Sequence, residues 1–197
     1  MAKKKRLVIA TKNKGKVREI KHLLKNFKVK VISLLDMPKV PDIKETAKTF
    51  KGNAIKKAKT IARKFNSLVL ADDSGLQVKS LRNHPGVKSA RYAGPNPTTN
   101  KLCGKLLREM KAKKDRKARF VCVIAVADAE KVRTVKGICS GKIGYKMKGT
   151  QGFGYDPVFI PGGATRTFAQ MPLKIKNKIS HRGKALQKAK KLIKKFI

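Results

Sequence analysis

Acidic residues are scarce in this sequence. Its 197 residues include 11 Asp and Glu but 51 Lys and Arg, which gives a formal net charge of +40. A positive charge of this size favours nucleic acid or another polyanion as a partner. Lysine nevertheless occurs in almost every block of ten residues, whereas nucleic-acid-binding proteins usually gather their basic residues in an arm, a groove or a stripe. The charge therefore indicates a property of the whole surface more than a dedicated binding site.

Cysteine is rare as well, with residues only at Cys103, Cys122 and Cys139. Their number is odd and no two of them have C-x-x-C spacing, which argues against a disulfide framework and against a cysteine-based zinc site. Cys122 lies inside an apolar run. We therefore expect buried free thiols in a reducing compartment.

Long hydrophobic runs are missing near the start of the chain. The sequence MAKKKRLVIA has a basic flank, but its apolar run is short and ends before Thr11 and Lys12. A secretory signal needs an apolar core of roughly 7–15 residues, and a membrane-spanning helix needs about 20. We therefore expect a soluble, cytoplasmic protein with no membrane segment.

Apolar residues are present in sufficient number for a core, at 41% of the chain. Strand-like and helix-like apolar patterns alternate along its length. Strands are predicted at residues 6–10, 28–34, 68–71, 119–128 and 131–144, and helices at residues 17–27, 46–65, 102–110 and from residue 181 onward. This order predicts an α/β protein with a mixed sheet. The length fits one large domain or two closely packed lobes, and no linker marks a boundary, so we treat residues 1–197 as a single domain.

Four segments interrupt the pattern of lysine-rich helices and apolar strands. The first is TKNKGK, residues 11–16, which lies between a predicted strand and a predicted helix. Free backbone N–H groups and the helix dipole favour a phosphate there, and Lys14 and Lys16 add positive charge. An ordinary strand-to-helix turn is the alternative. The segment lacks the glycine and lysine spacing of a Walker loop, so a P-loop NTPase is not supported.

The second and third segments carry carboxylates. Glu45 stands at the entrance of the predicted long helix, and Asp72 and Asp73 follow the apolar run LVLA. Ligands of open α/β sheets bind beyond the carboxyl ends of the strands, and Mg²⁺ commonly takes one or two carboxylates together with substrate phosphates. The alternatives are a helix-dipole partner at Glu45 and a turn at DDSG.

The fourth segment combines GFGYDP, residues 152–157, with KNKISHRG, residues 176–183. Phe153 and Tyr155 are flanked by glycine and could stack on a base, while Lys176, His181 and Arg182 could hold an anion at the start of the last helix. Each segment is weak alone. Together they supply what a nucleoside triphosphate requires, namely a phosphate cradle, carboxylates for Mg²⁺, an aromatic ring for the base and further cations.

These segments also carry a family pattern. In sequence order, the chain contains ATKNKGKVREI, ETAKTFKGNAIKKA, LADDSGL, PGVKSARYAG, GFGYDPVF, TFAQM and KNKISHRGKAL. With them it resembles the inosine triphosphate pyrophosphatase family, the XTP/dITP diphosphatases, from Leu7 to about Leu192. The resemblance implies an elongated, twisted mixed sheet flanked by helices, with two lobes and the active-site cleft between them. It also implies a homodimer that hydrolyses ITP, dITP or XTP to the monophosphate and pyrophosphate with Mg²⁺.

The resemblance assigns roles position by position. Asp73 is similar to the general base, and Glu45 and Asp73 to the magnesium ligands; Asp72 is left as a supporting acid of uncertain role. The residues similar to the family's substrate-binding positions are Thr11, Asn13, Lys16, Lys57, Ser74, Phe153, Gly154, Tyr155, Asp156, Lys176, His181 and Arg182.

The chain departs from the family mainly in charge. Gln170 and Lys174 stand where the family commonly has acids, and residues 82–84 replace a small turn. Five of the 11 acids, Glu19, Glu45, Asp72, Asp73 and Asp156, nevertheless lie in the motifs. We hypothesise a supercharged chain, engineered or selected for positive surface charge while its site was kept, with a naturally lysine-enriched relative as the alternative.

Two functions therefore follow from the sequence. The first is the Mg²⁺-dependent diphosphatase. The second is a catalytically impaired scaffold whose +40 charge binds nucleic acid or other polyanions nonspecifically.

Overall fold

Six strands and five α-helices make up the regular structure in the part of the chain that the computed structural model describes, residues 6–197. The basic flank at residues 1–5 lies outside the described residues. The strands are β1 (Arg6–Ile9), β2 (Lys30–Ser33), β3 (Leu68–Val78), β4 (Lys117–Ala127), β5 (Val132–Ile143) and β6 (Phe159–Pro161). The helices are α1 (Lys14–Leu24), α2 (Phe50–Phe65), α3 (Thr99–Glu109), α4 (Leu173–Ile179) and α5 (His181–Ile193).

The strands form one sheet in the order β2-β1-β3-β4-β5-β6. β1, the second strand from one edge, runs parallel to both of its neighbours, with Ile9 opposite Ser33 of β2 and Leu70 of β3, whereas β6 runs antiparallel to β5. Parallel and antiparallel pairs in one sheet flanked by helices confirm the predicted α/β class with a mixed sheet.

The chain divides into two compact units, which correspond to the two expected lobes. Of the described residues, unit 1 contains 6–73, 122–137 and 183–197, and unit 2 contains 74–121 and 138–182. The core of unit 1 includes Leu7, Ile9, Ile20, Leu70, Ile124, Ala185 and Leu186, all fully buried. The core of unit 2 includes Leu76, Leu106, Met110, Phe120, Phe159 and Phe168. Each unit therefore has its own apolar centre.

The paired aspartates lie inside a strand, which differs from the sequence prediction. The predicted strand ended at residue 71, but β3 continues to Val78, so the turn alternative for DDSG is wrong. The neighbouring β1 is much shorter, and its paired residues end at Ile9, opposite Leu70. Asp72 and Asp73 therefore lie just beyond the carboxyl end of β1, although not at the end of their own strand.

The long helix begins later than the periodicity predicted. It starts at Phe50 rather than near Thr46 because the Thr49 side chain accepts a hydrogen bond from Gly52 N at 3.0 Å and caps the helix. At its other end Asn66 adopts the left-handed conformation that commonly terminates helices. The segment before the helix, which includes Glu45, is consequently non-helical.

Within residues 6–197 we find no helix that is both long and apolar enough to span a bilayer. The three cysteines are free and buried, as predicted.

Candidate functional site

The loop between β1 and α1 is the predicted phosphate cradle, and Asn13 shapes it. Asn13 is the N-cap of α1, where its Oδ1 accepts from Lys16 N at 3.0 Å, while its own N–H donates to Thr11 Oγ1 at 3.2 Å. The first turn of α1 contains no acid. This end of the helix is therefore positive, from both the dipole and the lysines, and it favours an anion.

Lys57 of α2 connects the predicted magnesium carboxylates. Its buried ammonium lies 2.5 Å from Glu45 Oε1 and 3.3 Å from Asp73 Oδ1, and it donates to the carbonyl oxygen of Asp72 at 2.7 Å. Burial alone would lower the pKa of Lys57, but the charges of Asp73 and Glu45 outweigh it and raise the pKa above its usual value. Lys57 is therefore charged at neutral pH and neutralises part of the acidic charge.

Asp72 is fully buried and ion-paired. Its Oδ1 pairs with the ammonium of Lys16, and its Oδ2 accepts a hydrogen bond from Cys122 Sγ at 2.9 Å. Lys16, Glu45, Lys57, Asp72 and Asp73, with Cys122, form what we call the carboxylate–lysine cluster. All of its members belong to unit 1.

Asp73 has an oxygen available for a ligand. Among the described residues, its buried Oδ2 has no hydrogen-bond partner. Burial raises the pKa of Asp73 above its usual value of 3.8, while Lys57 and Lys16 oppose this effect. A buried carboxylate oxygen without a partner costs free energy, which a cation or a water molecule would recover.

The donor set fits Mg²⁺. Glu45 and Asp73 approach the same Lys57 ammonium, and Glu45 keeps 28% of its side chain exposed. Mg²⁺ prefers hard oxygen ligands and is commonly held by one or two carboxylates plus substrate phosphates. The described chain contains no group of three or more His, Cys, Asp or Glu arranged as a metal site. The residues that could hold this ion are therefore Glu45 and Asp73.

A second group, the aromatic–cation cluster, lies in unit 2 and consists of Ser74, Phe153, Asp156, Lys176, His181 and Arg182. At its centre is the half-buried Phe153 ring, with Lys176 Nζ 5.1 Å and Arg182 Cζ 5.6 Å from the ring centroid. Cations at these distances are attracted by the face of an aromatic ring. The cluster therefore combines a stacking surface with hydrogen-bond donors.

Asp156 holds this arrangement together. Its Oδ2 accepts from the Phe153 backbone N–H at 2.8 Å and pairs with Lys176 Nζ at 2.5 Å. Gly152 must be glycine, because its φ is +81° and an added Cβ would lie 2.0 Å from Asp156 Oδ2. Asp156 thus positions both the aromatic ring and one of the cations beside it.

His181 and Arg182 are fixed by different contacts. The imidazole of His181 stacks on the Phe120 ring with centroids 4.5 Å apart and planes 10° apart. Arg182, which is 2% exposed, donates from Nη2 to Ser74 Oγ at 2.8 Å. Both side chains are therefore ordered by partners within unit 2.

Tyr155 occupies a core position. Its hydroxyl donates to the Ser89 carbonyl at 2.9 Å, and only 3% of the residue is exposed. Burial raises the pKa of Tyr155, which keeps the hydroxyl protonated. Of the two aromatic residues considered for base stacking, the structure gives Phe153 the accessible ring.

Two residues of α3 were missed by the sequence reasoning. Thr99 Oγ1 accepts from Gly154 N at 3.2 Å, and Cys103 Sγ donates to Gly154 O at 3.3 Å. We call this pair the Gly154 clamp. A spacing of four residues places both side chains on one helix face, but nothing in the sequence connects that face with a loop about 50 residues away.

The carboxylate–lysine cluster and the aromatic–cation cluster define a class. In this class of α/β protein, the first cluster has the chemistry to bind phosphate groups and a hard cation, and the second has the chemistry to bind an aromatic ring.

Comparison with known proteins identifies a family within this class. The Ham1 family matches residues 7–192. The dITP/XTP pyrophosphatase of Oceanobacillus iheyensis is 46% identical over 191 residues, which cover 95% of this chain and 97% of the relative. That of Clostridium tetani is 45% identical over 197 residues, covering 98% of each chain.

Solved structures agree with the sequence matches. The Ham1 protein of Staphylococcus aureus has a TM-score of 0.86 and 37% identity, covering 98% of this chain and 100% of its own. The HAM1 protein of Coxiella burnetii has a TM-score of 0.87 and 38% identity, covering 97% of this chain and 99% of its own. The chain belongs to the Ham1 family, and the resemblance drawn from its motifs is confirmed.

Proposed function

We propose that this chain is a Mg²⁺-dependent nucleoside triphosphate diphosphatase that hydrolyses ITP, dITP and XTP to the monophosphate and pyrophosphate and so removes them from the nucleotide pool. Relatives with 43–46% identity are named dITP/XTP pyrophosphatases, which supports this class of enzyme. The observation that carries the proposal is Asp73 Oδ2, a buried carboxylate oxygen without a partner among the described residues, beside Glu45 and Lys57.

In this proposal the carboxylate–lysine cluster acts on the triphosphate. Lys16 and Lys57 attract and orient the phosphate oxygens, and the N-terminus of α1 adds a favourable dipole. Bound Mg²⁺, held by Glu45 and Asp73, would neutralise charge on the phosphates. Asp73 Oδ2 orients a water molecule and accepts its proton. The water oxygen then forms a bond to phosphorus while the anhydride bond between the α and β phosphates breaks, and pyrophosphate leaves.

The raised pKa of Asp73 suits this role. A carboxylate in water is a weak base, whereas one whose pKa is raised by burial accepts a proton more readily near neutral pH. The nearby lysines limit the rise, so that the group still ionises. Lys57 thereby favours the basic form of Asp73.

The aromatic–cation cluster recognises the base in this proposal. Phe153 stacks on the purine, while Lys176 and Arg182 supply donors for a 6-oxo group. A 6-amino group presents hydrogens to the same donors, so buried polar groups would be left without partners. The expected result is discrimination against ATP.

A nucleotide panel tests the proposal. Purified protein with Mg²⁺ is incubated with ITP, XTP, GTP and ATP, and pyrophosphate and monophosphate are quantified. We expect release of pyrophosphate with preference for ITP and XTP over ATP. Release of orthophosphate instead, or equal rates on ITP and ATP, would contradict the proposed bond cleavage or the proposed specificity respectively.

The resemblance also supports a cytoplasmic homodimer. Light scattering coupled to gel filtration measures the mass directly, and a dimer mass at moderate salt is expected. The net charge of +40 opposes association, so the dimer fraction should rise as salt screens the repulsion.

Nonspecific polyanion binding is the second candidate function, favoured by the even distribution of lysine. It predicts RNA that copurifies with the protein and dissociates steeply with salt. Turnover at high salt separates the two functions, because an impaired scaffold has none.

A further inference from the structure

Asp72 contacts both lysines of the carboxylate–lysine cluster. We propose, building on the diphosphatase function above, that Asp72 is a positioning residue: its carboxylate fixes Lys16 and its backbone carbonyl fixes Lys57. The thiol of Cys122 orients the carboxylate for this task.

The carboxylate contact is made in a water-poor environment. The Asp72 side chain is 0% exposed and that of Lys16 is 15% exposed. A charge-assisted hydrogen bond is stronger and more directional in such a place than at the surface. Lys12 and Lys14 of the same TKNKGK segment are exposed by comparison. Asp72 therefore selects one lysine of this segment and gives it a defined position.

Cys122 completes the arrangement from β4. Its thiol is fully buried and donates to the second carboxylate oxygen of Asp72 at 2.9 Å. A neutral, weak donor satisfies that oxygen without neutralising the carboxylate. The negative charge of Asp72 remains available to Lys16.

The backbone of Asp72 serves Lys57 in the same way. Its carbonyl accepts from Lys57 Nζ at 2.7 Å, a shorter contact than the 3.3 Å between Lys57 and Asp73 Oδ1. One residue thus sets the positions of two ammonium groups before substrate arrives. Preorganised charges cost little reorganisation during the reaction and contribute strongly to catalysis.

The two aspartates consequently have different tasks. Both carboxylate oxygens of Asp72 are engaged by Lys16 and Cys122, whereas Asp73 Oδ2 has no partner among the described residues. Asp73 acts on the water, and Asp72 acts through the lysines.

The first test is Asp72→Asn. The variant keeps the backbone carbonyl and the charge of Lys16 but loses the ion pair. We expect kcat to fall at least about tenfold while KM changes by less than about threefold, because misplaced catalytic groups reduce turnover more than binding. A rise in KM with unchanged kcat, or full activity, would overturn the proposal. The matched control is Asp36→Asn. It removes an exposed ion pair, 3.1 Å long, between Asp36 and Lys21, which belongs to α1 as Lys16 does, and it should change neither kcat nor KM.

A mutant cycle tests whether Asp72 acts through Lys16. In a Lys16→Met background, Asp72→Asn should reduce kcat much less than in the wild-type chain. An equal reduction in both backgrounds would show that Asp72 acts independently and would refute the positioning role. Cys122→Ser retains a donor and should be nearly as active as wild type, whereas Cys122→Ala should lower kcat. This pair still decides the question if Asp72→Asn does not fold.

A spectroscopic readout separates this inference from the proposed function. With ¹⁵N-labelled lysine and no nucleotide, the Lys16 ammonium should give an exchange-protected NMR signal that Lys16→Met removes. The signal should disappear in Asp72→Asn and persist in Asp36→Asn. Its persistence in Asp72→Asn refutes the positioning role even if the protein hydrolyses nucleotides. Its loss supports the role even if wild-type protein hydrolyses none.

Discussion

At the residue scale, Asp73 combines a functional advantage with a cost in stability. Its pKa is raised mainly by burial, so the folded protein binds a proton at Asp73 more tightly than the unfolded chain does. For an acid with a raised pKa, the free energy of unfolding falls as pH increases from the usual value of 3.8 to the raised value, and the loss is complete above it. The ionised carboxylate therefore destabilises the metal-free protein at neutral pH.

Asp73→Asn separates the two effects. The neutral amide avoids the desolvation of a charge, and Lys57 keeps Glu45 and the Asp72 carbonyl as partners. We expect hydrolysis to be abolished while the melting temperature without Mg²⁺ at pH 7 is equal to or above that of wild type. Calorimetry with and without Mg²⁺ should show stabilisation by the ion in wild type only.

The comparison across pH provides the control. The difference in free energy of unfolding between Asp73→Asn and wild type should shrink as pH falls toward the usual carboxylate range, since wild-type Asp73 becomes neutral there. A difference that does not change with pH would contradict the assignment. Substantial hydrolysis by Asp73→Asn would remove Asp73 from the role of base.

At the residue scale, the sequence predicted only those site residues that belong to a local pattern of strand, turn and helix. TKNKGK predicted a phosphate loop because a strand, a polar turn and a helix follow one another within a few residues. Cys122 gave no such signal, since a cysteine within an apolar strand is most often simply packed. Its contact with Asp72 joins two strands about 50 residues apart in the chain, and sequence periodicity contains no information on such a contact.

At the element scale, the same limit explains which strands were missed. DDSG has good turn chemistry, but β3 continues through it because Lys16 and Lys57, from two other elements, neutralise the acids. β6 has only three residues, which are too few for a period-2 signal. It lies at the edge of the sheet, beside β5, and ends at Pro161. Long periodic elements such as α2 and α5 were predicted, with errors mainly at their ends.

Helix α3 determines the geometry of the loop that carries Phe153. The Gly154 clamp uses both backbone polar groups of Gly154, which has a φ of +64°. Burial raises the pKa of Cys103 to about 12, so its thiol stays protonated and can donate throughout the physiological range. Phe153, the ring that we propose stacks on the base, therefore lies in a loop whose geometry is set from α3.

Cys103→Ala together with Thr99→Val tests the clamp. Each removes a neutral hydrogen bond worth about 0.5–1.5 kcal/mol, so KM for ITP should rise roughly twofold to tenfold per substitution. Steady-state kinetics on ITP and ATP measures the effect, and preference for ITP should decrease. Cys103→Ser keeps a donor and should resemble wild type.

A buried thiol elsewhere in unit 2 supplies the matched control. Cys139→Ala removes a thiol that contacts the Ser140 carbonyl instead, so it should affect stability without changing KM. Equal changes in KM for Cys103→Ala and Cys139→Ala would indicate general loosening of the unit, and the clamp would have no specific role.

At the scale of the whole molecule, the buried acids are confined to the family motifs. The described residues contain all 11 acids of the chain, and the four that are buried, Glu19, Asp72, Asp73 and Asp156, all lie in the family motifs. The remaining motif acid, Glu45, is partly buried beside Lys57. The buried carboxylates Asp72, Asp73 and Asp156 each pair with a lysine, while lysine predominates among the exposed residues.

A uniformly basic surface predicts polyanion binding that no single helix controls. We compare two charge-reduced variants, one with Lys184, Lys191 and Lys195 replaced by Gln, and one with Lys51, Arg63 and Lys64 replaced by Gln; all six are exposed. Each variant removes three positive charges from the surface. Both should weaken binding to single-stranded RNA by similar factors, because the attraction arises from the summed charge.

The salt dependence of binding and turnover completes this test. RNA should inhibit hydrolysis of ITP at low salt, and the inhibition should decline steeply with salt as released counterions reduce the RNA affinity. Turnover without RNA should keep its kcat, because the buried ion pairs of the carboxylate–lysine cluster are screened much less than surface charges. A large loss of RNA binding in one triple variant and not in the other would locate a discrete site and contradict the whole-surface explanation. Equal losses, with kcat independent of salt, would show that the charge acts on the surface alone.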